Sequence, residues 1–276
     1  MRSLMRVGGL ACVLLTASGM AGAEVTDCTE ITGLPFDVKE PGIYCLKTNL
    51  SVSLPFGGVA LAIHTDDVVI DLNGHTIEAS GPTSAVAVFA DAQKDVTVRN
   101  GTIRGFGGAV DLGGFTSAAQ GNIVEDVRAE GSSAIAIKVA GAGSVVRHNV
   151  VVRTGGSSGG SIGILGIGSG VHILDNEVAE TVEAPGAQAL AIEIANAPGA
   201  VVQGNVIANA ALGPSDSVGI FVSPTCPNAS VVGNHVANLR KGLYLLSSVL
   251  YRDNTVGGAI TAFTGGIAAG STNFSF

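Results

Sequence analysis

Apolar residues along this chain fall in short alternating runs, and one arrangement of them keeps returning. It is typified by DVTVRNGTIRGF, Asp95 to Phe106, where Val96, Val98 and Ile103 have the spacing of buried strand residues and Asn100-Gly101 sits where a hairpin would turn. Aligned on the apolar residue after the turn, the phrase occurs at Ile77, Ile103, Ala129, Val151, Val178, Ile207, Val236 and Val256. The residue five positions earlier is apolar each time: Leu72, Val98, Val124, Val146, Ile173, Val202, Val231 and Tyr251. Between them lies a pair such as Gly74-His75, Asp126-Val127, Asp175-Asn176 or Gly204-Asn205, with Asn second in five of the eight phrases.

Each phrase follows a second alternating run: VALAI (59–63), VAV (86–88), VDL (110–112), IAI (135–137), IGI (162–164), LAI (190–192), VGI (218–220) and LYL (243–245). Period-two alternation predicts strands, and a repeat near 25 residues predicts a solenoid. A unit of two or three short strands cannot bury its apolar face alone. Stacked as a coil, each strand pairs in parallel with its equivalents about 4.8 Å above and below. The polar pair is then a corner of the coil, where Asn and Gly tolerate a left-handed backbone and stacked Asn side chains can hydrogen-bond between coils.

The first 23 residues stand apart. Arg2 and Arg6, the apolar run from Val7 to Ala17 and the small Ala21-Gly22-Ala23 have the form of a secretory signal. Removing it takes two basic residues and no acidic one, so the net charge of −8 becomes −10. That balance argues against nucleic acid or an anionic membrane surface as partner, and no stretch is apolar for long enough to form a membrane-spanning helix. The expected location is exported, periplasmic or extracellular. Of the remaining cysteines, Cys28 and Cys45 flank a turn-rich loop and are paired here as a disulfide; Cys226 is left as a loop thiol or the donor of an intermolecular bond.

The repeats resemble the right-handed parallel β-helix superfamily, which includes pectate lyases, other polysaccharide lyases, epimerases and NosD-like periplasmic proteins. The likeness covers about residues 41–258 and opens with PGIYCLKTNL and VVIDLNGHTI. The expected fold is therefore all-β: a right-handed parallel β-helix of eight or nine coils over 58–258. Before it come the signal (1–23) and a disulfide-tied cap (24–57), and after it a tail or degenerate last coil (259–276).

Equivalent outward residues of successive coils become neighbours. One such column reads Asn73, Arg99, Glu125, Arg147, Leu174, Gln203, Val232, Arg252, and another Glu78, Arg104, Glu130, Val152, Ala179, Ala208, Ala237, Gly257. With Arg128 and Arg153 alongside, the first coils gather five Arg and three Glu. In one reading this strip is a carbohydrate groove whose Arg forks hold uronate carboxylates. The resemblance adds that related lyases use a basic side chain for proton abstraction. Arg99, Glu125 and Arg147 are then the candidate catalytic groups and Glu78, Arg104, Arg128, Glu130 and Arg153 the substrate-binding ones. In the other reading the alternating signs form a cross-strand ionic ladder.

The paired Asp with His-Gly and Arg-x-Lys of polygalacturonase-like hydrolases is absent, as are the Asp-Pro-His-Asp of mannuronan epimerases and the Asp cluster of calcium-dependent pectate lyases. His64, His75, His148, His172 and His235 lack ligand spacing, and no cofactor is expected; calcium at corner carboxylates has no supporting motif. A final pair of columns, Ala60, Ala87, Asp111, Ala136, Gly163, Ala191, Gly219, Tyr244 and Ala62, Phe89, Gly113, Lys138, Leu165, Glu193, Phe221, Leu246, is expected to form a small apolar outer face, read either as a quiet Ala/Gly surface or as one covered by a second copy of the chain, a ligand or a loop of its own. The functional expectation is an exported protein engaging a polysaccharide or other glycan on its outer face, with lyase-type activity open. The competing class is a non-catalytic structural or adhesive module.

Overall fold

A computed structural model describes residues 26–276 apart from 82–83, 114–117, 157–158, 183 and 213–215. The expected signal peptide lies outside the described residues. Those residues form 27 strands and no helix, joined in parallel pairings into a β-helix. Three sheets run up the coil. Strands such as Val86–Ala90, Gly108–Leu112, Gln188–Ala195 and Asp216–Val222 build the first. Val68–Asp71, Val145–Arg147 and His172–Leu174 belong to the second, and Thr76–Ala79, Val206–Ala208 and His235–Ala237 to the third.

The solenoid has about seven turns rather than the expected eight or nine. The eighth phrase falls in Lys241–Arg252 and Thr255–Gly257, where one 12-residue strand replaces two strands and their connection. Beyond it, Thr261–Ala268 and Phe274–Ser275 extend the ladders. At the other end the Cys28–Cys45 disulfide ties Thr29–Glu30 to Gly42–Cys45. Cys226 is fully buried, with its sulfur accepting the Ala197 N–H at 3.4 Å, so it cannot reach a second chain.

The aligned apolar residues stack into one continuous core. Ile103, Ala129, Val151 and Ile207 are fully buried, as are Val98, Val124, Val146 and Ile173. Burial of each such Val or Ile is worth about 1.5–3 kcal/mol before chain entropy is counted. The corner divides its work between two residues. The first turns the backbone with positive φ: Asn100 (60°), Asp126 (53°), His148 (55°) and Asp253 (57°). The second, where it is Asn, points inward. Asn149, Asn176, Asn205, Asn234, Asn254 and Asn273 form a ladder with Nδ2 to Oδ1 distances of 2.9–3.1 Å. Each Oδ1 also accepts a backbone N–H from the coil below, so these amides replace the peptide groups that the corner withdraws from the sheet.

Two expected columns are corrected. In the first coil Ile70, not Leu72, pairs with Val98, so Asp71 replaces Asn73 beside Arg99. The corner there holds two extra residues, closed by the Asn73 N–H donating to Asp71 Oδ1 at 2.8 Å. In the first sheet the strands are not strictly alternating. Both Ala60 and Leu61 point inward, and the same kink recurs in Val86–Ala90 and Gly108–Leu112. Ala60, Ala87, Ala136, Gly163, Ala191 and Gly219 therefore lie in the core and cannot serve as an assembly face. Their smallness is a packing requirement: a Cβ on Gly219 would come 2.5 Å from Val236 Cγ1, and one on Gly163 would come 2.5 Å from the Ala191 carbonyl oxygen.

Candidate functional site

The charged strip resolves into two ladders on either side of the corner. On the second sheet Asp71, Arg99, Glu125 and Arg147 are in register. Arg99 Nε donates to Asp71 Oδ2 at 2.8 Å, and Arg147 contacts Glu125 Oε2 through Nε at 2.8 Å and Nη2 at 2.6 Å. Asp71 is 2% exposed and also accepts Asn100 Nδ2 at 3.1 Å. On the third sheet Arg104 lies 3.3 Å from Glu130 and 4.0 Å from Glu78, with Arg128 3.4 Å from Glu130. Arg153 also contacts Glu130. Burial pushes the Glu130 carboxyl up, but Arg104, Arg153 and Arg128 outweigh it and hold the group below the ordinary glutamate value. All eight expected site residues thus have an ionic partner. Glu125 and Arg147 form one pair and Glu78, Arg104, Arg128, Glu130 and Arg153 one cluster, while Arg99 binds a residue outside the expected set.

The first sheet presents a different surface. Its outward column reads Ala62, Phe89, Asp111, Lys138, Leu165, Glu193, Phe221, Tyr244. Asp111 and Tyr244 move into this column from the one expected beside it, and Gly113 and Leu246 leave it. The shift creates two contacts. Lys138 Nζ meets Asp111 at 3.2 Å, and the Phe221 and Tyr244 rings lie 5.5 Å apart. Lys241 sits 4.8 Å from the Tyr244 ring centroid and 2.9 Å from Asp216, which also accepts Gln188 Nε2 at 2.9 Å.

Two grooves of about 440 and 430 Å³ lie along this face and share Ala134 and Ile135. Asp111, Lys138 and Leu165 line the first; Gln188, Leu190, Glu193 and Phe221 line the second. Glu193 is set between Leu165 and Phe221 on the neighbouring strands. No hydrogen bond or ion pair reaches it among the described residues, and burial pushes its carboxyl above the ordinary glutamate value. An unpaired, half-buried carboxylate beside an aromatic pair can accept hydrogen bonds from hydroxyl groups while a ring stacks alongside. Among the described residues no group of three or more His, Cys, Asp or Glu could hold a metal ion, and no helix is long and apolar enough to cross a membrane.

No protein-family model matches the chain, and no curated protein matches it. Solved structures do. A Dettilon tailspike protein aligns at 13% identity and TM-score 0.46 over 84% of this chain, which spans about half (53%) of the tailspike. The pectate lyase Pel9A aligns at 14% identity and TM-score 0.41, covering 85% of this chain and 72% of the lyase. The A-module of an Azotobacter vinelandii mannuronan C-5 epimerase aligns at 16% identity and TM-score 0.29, covering 85% and 80%. The β-helix of this chain is established by its own parallel strand pairings, and its site rests on its own residues.

Proposed function

We propose that this protein is exported and holds a glycan along the outside of its coil, on the first sheet. The observation that carries the reading is the pair of mostly apolar grooves that share Ala134 and Ile135, with Phe221 of the Phe221–Tyr244 pair lining one of them and Glu193 as the charge in their lining that has no partner among the described residues. Sugars offer hydroxyls to a carboxylate and C–H faces to a ring, so one such surface meets both halves of their chemistry. The Cys28–Cys45 disulfide supports an oxidising compartment. In this reading Arg99, Glu125 and Arg147 act as an ionic ladder that keeps coils in register, because each is already bound to a carboxylate or an arginine.

The test is direct binding of acidic and neutral polysaccharides, with absorbance from unsaturated uronate ends followed in parallel. Binding lost in Phe221→Ala and kept in Arg147→Ala supports the groove. The reverse pattern moves the site to the strip, and product growth that vanishes in Arg147→Ala makes the strip a lyase centre. A second reading, a non-catalytic module that assembles with itself, is favoured by one feature. The coil over 259–276 exposes Ile260, Ile267, Phe274 and Phe276, and residues 254–276 include no charged side chain.

A further inference from the structure

We infer that the groove selects an electrically neutral sugar polymer over an acidic one, with Glu193 as the hydroxyl acceptor at its centre. This rests on the glycan reading above and narrows it to a substrate class. The column from Asp111 to Tyr244 crosses six successive strands in the order Asp111, Lys138, Leu165, Glu193, Phe221, Tyr244. At about 4.8 Å per strand the row is roughly 24 Å long, enough for several sugar rings laid along the coil.

The charges on that row decide the class. An acidic polymer needs cations that are free to take its carboxylates. Both lysines on this face are already engaged: Lys138 with Asp111 at 3.2 Å, and Lys241 with Asp216 at 2.9 Å and the Tyr244 ring. The uncompensated group is an anion, Glu193, and it stands half-buried between two apolar rungs, where screening is weaker than in bulk water. A uronate brought beside it meets like charge with no free cation to offset it. A neutral ring meets an acceptor with both oxygens unoccupied and the flat face of Phe221 one strand away. The five arginines of the other face do not alter this, since each binds a carboxylate of its own ladder.

The probes are a neutral pair, a mixed-linkage β-glucan and a galactomannan, and an acidic pair, polygalacturonate and alginate. Affinity would be measured by titration calorimetry on the full chain and on Glu193→Gln and Phe221→Ala, each first shown to be folded by a far-ultraviolet circular dichroism spectrum like the parent's. The expected result is binding of a neutral polymer and not of the acidic pair, weakened roughly tenfold by either substitution, about 1.4 kcal/mol. Binding of an acidic polymer in preference to both neutral ones overturns the inference and leaves the glycan reading standing. Neutral binding that both variants preserve also overturns it, by removing Glu193 and Phe221 from the site. Absence of binding by all four polymers overturns the glycan reading together with it.

Discussion

The two outer faces of this coil carry similar kinds of residue and use them in opposite ways. On the strip, every expected acidic and basic group finds its opposite on its own or a neighbouring strand, and Glu130 alone gathers three arginines. On the first sheet the cations are likewise held, but one carboxylate, Glu193, is left over in a groove between Leu165 and Phe221. Closed ion pairs stabilise stacking and offer little to a ligand, because binding one means breaking the pair first. An unpaired group destabilises its own face slightly and gains a partner only when something binds. The charge count of a surface therefore says less about its role than whether the charges are already satisfied.

That contrast can be broken one residue at a time. The largest expected effect is in Arg99→Ala, which takes the guanidinium from Asp71, a carboxylate 2% exposed with the arginine in place, and leaves it the donors of Asn73 and Asn100. A loss of about 2–3 kcal/mol in urea unfolding is expected, since a hydrogen bond to a buried charge is worth that order; glycan affinity should not move. Next comes Phe221→Ala, expected to weaken a neutral polymer roughly tenfold, about 1.4 kcal/mol, with stability changed by less than that. Arg147→Ala follows with at most about 1 kcal/mol of stability, because its pair with Glu125 is near solvent and the arginine is 45% exposed. A larger loss there would mean that exposed rungs hold the coil as firmly as buried ones.

The smallest effects are in pH, and they have opposite signs on the two faces. Glu130 is held low by Arg104, Arg153 and Arg128 against the opposing effect of burial. Its contribution to stability is present above the unfolded glutamate range and is lost as pH falls through its depressed value. Glu193 is held high by burial. Its contribution is present below the unfolded range and is lost as pH rises through its raised value, while glycan binding strengthens over that same rise as the carboxylate forms. The charges facing it are few: Lys138, two strands away and paired with Asp111, and at the groove's margin the Asp216–Lys241 pair with Arg240 close to Asp216. Stability measured against pH in Glu130→Gln and Glu193→Gln should therefore shift in opposite directions relative to the parent. Shifts of the same sign would remove the distinction between the faces.

Much of this was legible in the sequence. The stacks headed by Val98 and Ile103 alternate cleanly, so their register and the outward columns that flank them could be counted from the corner. The recurrent Asn marked a hydrogen-bonded ladder between coils for the same reason, but did not show that it faces inward. The first coil was misread because two extra residues sit inside its corner, so counting back from Ile77 set Leu72 rather than Ile70 against Val98 and passed over Asp71, the last strand residue, whose carboxylate caps that turn. The first sheet was misread because a kink turns Ala60 and Leu61 inward together, which period-two counting cannot anticipate. Counting VDL and LYL from their first residues placed Asp111 and Tyr244 in the wrong column, hiding both the Asp111–Lys138 pair and the Phe221–Tyr244 pair. Glu193 and Phe221 stood in the correct column throughout, but an isolated Glu among Ala and Leu carries no motif. Only its lack of a partner distinguishes it.

Carbodiimide footprinting of carboxylates, with and without a saturating neutral polysaccharide, reads directly whether the ligand lies on the face with the unsatisfied carboxylate. Glu193 is expected to label readily in the free protein and to be protected in the complex, while Glu125 and Glu130 label equally in both. Protection of Glu125 and Glu130 with Glu193 still labelled would place the ligand on the strip and contradict that placement.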